Sequence, residues 1–116
     1  MSESLKIGSI LSLAKRKNYL EPIYQHNECL IPLINNANHL LAIIWSTGTR
    51  GASLGEVEAR SGIHGQVVSI YLKELAALRM IVKIFHGTQP IWVYKEKLVN
   101  EIKEEVNKQY ESSSFS

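Results

Sequence analysis

A mainly α fold with a small β-hairpin and flanking N- and C-terminal helices is what three features of the sequence predict. The first is Ser53-Leu54-Gly55-Glu56, where a hydroxyl at a helix N-cap and a carboxylate three residues on can each satisfy an unpaired backbone amide. It opens a short helix, about Leu54 to Arg60, which stops near Gly62 because glycine takes a left-handed C-terminal conformation without steric penalty. The second is an amphipathic helix that follows at once, from about Gly65 to Leu78. The third is a pair of β-branched and aromatic runs, Met80 to Phe85 and Ile91 to Tyr94, on either side of His86-Gly87-Thr88-Gln89-Pro90. Helix, tight turn, helix and hairpin in that order spell a winged helix-turn-helix.

The elements around this unit follow from periodicity. Ser2 to Lys15 reads as a helix because Ile7, Ile10, Leu11 and Ala14 recur at helical spacing, and it is placed to act as an exchanged or docking arm. Lys15-Arg16-Lys17 ends it, where cations suit a helix C-terminus and also suit a nearby phosphate. Asn18 to Asn27 is irregular, with Leu20, Ile23 and Tyr24 apolar and Pro22 at a bend or helix start. From Leu33 onward, Leu33, Ala37, Leu40, Leu41, Ile44 and Trp45 form an amphipathic stripe that marks the first helix of the winged unit. Asn35, Asn36 and Asn38 blur its start, because asparagine competes for backbone hydrogen bonds. Thr47-Gly48-Thr49-Arg50-Gly51 is a turn with two glycines free to take positive φ, and it lacks the longer glycine pattern and Lys-Ser or Lys-Thr ending of a phosphate-cradling loop. Glu96 to Glu111 is a last helix whose Val99, Ile102, Val106 and Tyr110 make an apolar stripe expected to bury against the N-terminal helix of the same subunit or of a second copy. One folded unit, 1–111, is expected, made of an arm (1–32), a winged core (33–95) and the C-terminal helix (96–111), with 112–116 a frayed tail.

Composition narrows the function classes. With 45% hydrophobic and 21% charged residues over 116 positions, the chain matches a globular protein, and no apolar run reaches the roughly 18 residues of a membrane span. No secretory leader pattern is present, so a cytoplasmic location is expected. A single cysteine, Cys29, rules out an internal disulfide and a cysteine-cluster metal site, and reads as a small buried hydrophobe. His26 has no second ligand at metal spacing, and His39 lies beside the apolar stripe as a structural side chain. The chain has no aspartate, no paired Cys and His, no metal-spaced histidines and no nucleophile elbow, so neither an enzyme nor a resident cofactor or metal is expected. Net charge is only +2, but its distribution is uneven: glutamates gather in the last helix, whereas the basic residues 15–17, Arg50, Arg60, Lys73 and Lys83 lie in the N-terminal segment and the winged unit.

The helix from Gly65 to Leu78 carries the functional argument. Val68, Tyr71, Leu72, Leu75 and Leu78 fall on one face, while Gln66, Ser69, Ile70, Lys73 and Ala77 fall on the other. That second face suits a DNA major groove, where amide and hydroxyl groups pair with base edges, an aliphatic touches a thymine methyl and an ammonium meets a phosphate. The run Val67-Val68-Ser69-Ile70-Tyr71-Leu72-Lys73-Glu74-Leu75-Ala76-Ala77-Leu78-Arg79-Met80-Ile81 resembles the recognition helix and following strand of MarR/ArsR-like winged-helix regulators, whose usual pattern is Thr-Val-Ser, two variable residues, Leu-Lys, then a Leu and a Gly-Leu-Val ending. The resemblance covers roughly Leu40 to Lys97. Here Val67 replaces the threonine, removing one hydrogen bond to phosphate or base, and Arg79 replaces the glycine, which implies a different helix ending or an arginine in a conformation costing about 1 kcal/mol.

These readings converge on sequence-specific binding of double-stranded DNA by a homodimer, with transcriptional repression its expected use. Gln66, Ser69 and Ile70 are the expected base readers, beginning at Gly65. Lys73, Arg50, Arg60 and the Lys15, Arg16, Lys17 cluster are the expected phosphate contacts, with His86 and Thr88 contributing from the wing. The wing tip carries no arginine for a minor groove, so the hairpin is expected to brace more than to read. Two other readings fit the same residues. One is plasmid or phage DNA partition with a filament-forming partner, and the other is a winged-helix module that docks on protein. Tyr19, Tyr24, Cys29 and Trp45 are candidate lining for a small-molecule pocket.

Overall fold

The computed structural model describes residues 3–23 and 30–114, with side chains for 7–23 and 30–108. Tyr24, His26, Cys29 and the last two positions of the expected tail lie outside the described residues, as does the side chain of Tyr110. Among the described residues five helices and one hairpin follow in order: α1 (Glu3–Ala14), α2 (Ile31–Ser46), α3 (Leu54–Ser61), α4 (Gly65–Ala77), β1 (Ile81–His86), β2 (Gln89–Tyr94) and α5 (Lys95–Ser114), with a 3-10 turn at Gly48–Arg50. This is a winged helix-turn-helix with flanking helices.

The core forms around α2, whose Ile34, Ala37, Leu40, Leu41, Ile43 and Ile44 are all buried. Helices α1, α3 and α4 and strand β2 pack on it, and α1 also lies along α4. In α1 the four residues of the expected stripe, Ile7, Ile10, Leu11 and Ala14, are each buried. Burial of this kind, at roughly 25 cal/mol per Å² of apolar surface, is what holds helices too short to stand alone. Asn38 faces inward from the middle of α2, donating to the Leu20 carbonyl (2.8 Å) and accepting from the Leu20 amide (3.0 Å), which ties the irregular stretch after α1 to the core.

Each boundary has a local cause. Ser53 Oγ accepts from the Glu56 amide at 3.2 Å, and Gly62 ends α3 in the left-handed region at φ 74°. Helix α4 ends in a Schellman arrangement: the Met80 amide donates to the Leu75 carbonyl and the Arg79 amide to that of Ala76, with Arg79 left-handed at φ 63°. Of the two endings open to an arginine here, the chain adopts the strained one. The strands pair antiparallel from Ile81 opposite Tyr94 to His86 opposite Gln89, so the tip is only Gly87-Thr88 and strands replace most of the expected five-residue loop. Gly87 at φ 66° supplies the one positive φ that a two-residue type II′ tip demands. Ala52 adds a third, one-residue rung, exchanging two backbone hydrogen bonds with Trp92 (2.9 and 2.8 Å).

Three expectations need correction. Trp45 was placed within the buried stripe of α2, but it lies at the stripe's edge and is 52% exposed, with Lys97 Nζ 3.6 Å from its ring centroid and 2.8 Å from its carbonyl oxygen. Within one chain the α5 stripe does not bury against α1, which leaves a second copy as the expected partner: α1 spends its apolar face on α4 and α2, α5 packs on β2 and the 3-10 turn, and Ile102 (52%) and Val106 (56%) stay exposed. Helix α5 also runs to Ser114, past the expected stop at Glu111.

Candidate nucleic-acid interface

The opposite faces of α4 separate as their chemistry requires. Val68, Tyr71, Leu72 and Leu75 are buried, and Gln66, Ser69, Lys73 and Ala77 are exposed along one stripe. Helix α1 covers a different flank, where Gly8 lies so close to Glu74 that a Cβ there would meet Glu74 Oε2 at 2.2 Å. The stripe therefore stays open to solvent in the single chain. Ile70 differs from its neighbours: it is half-buried and packs against the core, so only part of its side chain is free for a thymine methyl.

The N-terminus of α4 is set by residues that periodicity did not single out. His64 is the N-cap, its Nδ1 accepting from the Gln66 amide at 3.2 Å. Gly65 lies close under the Glu58 side chain, where a Cβ would meet Oε2 at 2.6 Å unless that exposed carboxylate swung aside. Glu58 thus places a carboxylate beside the positive end of the helix dipole.

Arg50 and Arg60 are linked through one acid. The Arg50 guanidinium donates to both Glu56 carboxylate oxygens (3.2 and 3.0 Å), and Arg60 Nη1 lies 3.5 Å from Oε2. Hydrogen bonding from Arg50 holds the Glu56 carboxyl below its ordinary pKa, against the opposing pull of desolvation. Glu56 therefore uses its amide for the Ser53 cap but turns its carboxylate to the arginines, so only half of the expected capping box forms. The Glu56–Arg60 pair was readable as an i, i+4 spacing, whereas the Arg50 pair depends on the fold of the 3-10 turn.

Arg50 and the wing come together. An open groove of about 430 Å³ is lined by Arg50, Ser53, Glu56, His86, Gln89 and Ile91, between the start of α3 and the hairpin. Thr88 is exposed at the tip. On the hairpin's other face Phe85 is 60% exposed, with Lys83 Nζ 5.4 Å from its ring centroid and 5.8 Å from that of Trp92. Strand alternation alone left open which of these faces the hairpin would expose.

The basic run after α1 goes elsewhere. Lys15 Nζ donates to the Leu78 carbonyl at the C-terminal end of α4, and Arg16 pairs with Glu21 and reaches the Tyr19 hydroxyl. Lys17 is exposed on the same side. At 1.5 Å per residue this end of the helix is roughly 20 Å from Gly65. Lys15 serves as a helix cap, and the cluster stands apart from the Gln66 end of α4.

No family model matches the chain, and no curated protein matches it. Among solved structures it is similar to a point mutant of Lactococcus lactis ZitR, with 19% identity and a TM-score of 0.45 over 99% of this chain and 80% of that one. At this distance the likeness carries nothing about function, which rests on the geometry of the α4 stripe and the wing.

Proposed function

We propose that this protein binds double-stranded DNA sequence-specifically as a homodimer and acts as a transcriptional repressor, with α4 in the major groove. The observation that carries this reading is the exposed stripe Gln66, Ser69 and Lys73 lying over the buried residues Val68, Tyr71, Leu72 and Leu75. Gln66 and Ser69 offer donors and acceptors to base edges, and Lys73 offers an ammonium to a phosphate. Arg50 and Arg60 lie on the turn and helix that precede α4, and His86 and Gln89 face Arg50 across the groove to the wing. The exposed Ile102 and Val106 on α5 supply an apolar strip through which two copies can pair, setting two α4 helices about one DNA turn apart.

The test is duplex binding measured across a salt series. Lys73→Ala is expected to weaken all sequences about evenly, roughly tenfold, and to flatten the logarithmic salt slope by about one unit, whereas Gln66→Ala also relaxes base preference by about 1 kcal/mol or more. If both variants bind like the parent, α4 is not the reader. A protein-docking winged helix is the second reading, favoured by Glu56, which already occupies two of the cations on this surface. It requires almost no salt dependence on random duplex.

A further inference from the structure

Cations that the proposed DNA surface does not use collect at the other end of α4. Lys15 and Lys17 from the stretch just after α1, Arg79 from the α4–β1 turn, and Lys95 and Lys103 from α5 line one open cleft of about 340 Å³. Its single acid is Glu96, and Asn18 and Asn100 add amide groups that can donate. Among the described residues the ion pairs belong to Arg16, Arg50 and Arg60, so none of the five cations in the cleft has a carboxylate partner, and Lys15 reaches only the Leu78 carbonyl. Like charges gathered from three separate stretches repel one another and raise the local potential for an anion. Arg79 adds a second observation. It lines the cleft in a left-handed conformation that glycine would adopt without the steric cost, so the position carries strain.

We propose that this cleft binds a small molecule bearing at least two phosphoryl groups. Two or three N–H donors satisfy one phosphate, and five cations spread around the rim exceed that need. The volume holds a diphosphate with room for part of the group that carries it. A bound diphosphate would tie the end of α1, the C-terminal turn of α4 and the start of α5 together, joining the proposed reading helix to the proposed pairing helix. The assignment stands on the cleft alone and does not rest on DNA binding.

The experiment is calorimetric titration of the full chain with inorganic pyrophosphate at constant ionic strength, with potassium chloride as the matched control. One-site saturation is expected, and the double variant Arg79→Gly with Lys103→Gln is expected to lose at least tenfold in affinity. Arg79→Gly alone should raise the thermal midpoint of the free protein while weakening pyrophosphate, a pair of opposite effects that a merely structural arginine would not give. Heat no greater than the chloride control, or unchanged affinity in the double variant, overturns the proposal. So does a double variant that only flattens the salt slope of duplex binding, since the cleft would then serve the DNA backbone. Loss of duplex binding in Lys73→Ala is a separate outcome and leaves this one untouched.

Discussion

Glu56 sets the balance of charge between the start of α3 and the wing. Its carboxylate holds Arg50 through two hydrogen bonds and lies 3.5 Å from Arg60, so it competes with phosphate for both arginines at neutral pH. Glu56→Gln keeps the helix cap, which uses the backbone amide, and releases both guanidinium groups. It is expected to raise affinity for random duplex severalfold and to steepen the logarithmic salt slope by about one to two units, measured by fluorescence anisotropy. The pH dependence has a definite sign. The folded carboxyl titrates below the unfolded one, so the stabilisation from the pair is complete above the ordinary carboxylate range and is lost as pH falls through the depressed value. Melts of parent and Glu56→Gln should therefore differ at neutral pH and converge in acid; a constant gap would show that the pair contributes nothing through ionisation. At this scale the sequence exposed the cap at Ser53, which depends on neighbours within a few residues, but left two endings open at Arg79. Partners such as Lys15 with Leu78 or Asn38 with Leu20 join residues far apart in the chain, and no local pattern encodes them.

Among the elements, α4 and the wing differ in how they are held. Helix α4 is anchored by four fully buried side chains, and its exposed stripe follows from their spacing. The wing is anchored at its base by the Ala52–Trp92 rung, which needs the chain to pass close beneath β2 at Gly51. Gly51 has φ 80°, and a Cβ there would meet Ile91 Cδ1 and Val93 Cγ2 at 3.0 Å and the Trp92 carbonyl oxygen at 3.1 Å. Gly51→Ala combines an unfavourable backbone region with overpacking, so a loss of about 2 kcal/mol is expected, visible as a lower denaturant midpoint. Gly48→Ala has open space at its Cβ and pays only for its positive φ, so it should cost less; equal losses would remove the close-approach argument. The turn glycines were legible as a turn, but their different costs were not, since crowding at Gly51 comes from strand residues about forty positions later.

At the level of the whole molecule, α5 extends from the winged unit with Ile102 and Val106 exposed, and the long dimension of the chain reaches 61 Å against 33 and 23 Å across. An apolar strip on a helix otherwise rich in charge is best satisfied by a second copy in the proposed homodimer. Ile102→Glu is expected to raise the dimer dissociation constant about 100-fold, because two copies of the side chain each lose about 1.5 kcal/mol of burial. Sedimentation would resolve this, and a parent chain that stays monomeric at micromolar concentration, or a variant that still dimerises, would exclude α5 as the pairing surface.

Periodicity and cap chemistry, both properties of residues a few positions apart, determined from the sequence that five helical stretches and a hairpin would form, where α3 and α4 would begin and end, and, with Ile70 the exception, which α4 residues would face outward. Only the tertiary structure decided which faces those elements give to one another. It left the α5 stripe uncovered, turned Trp45 out beneath Lys97, locked Arg50 to Glu56 and carried the basic run after α1 to the far end of α4. Each of these depends on the direction in which one element leaves another, and that direction is fixed by long-range packing around α2.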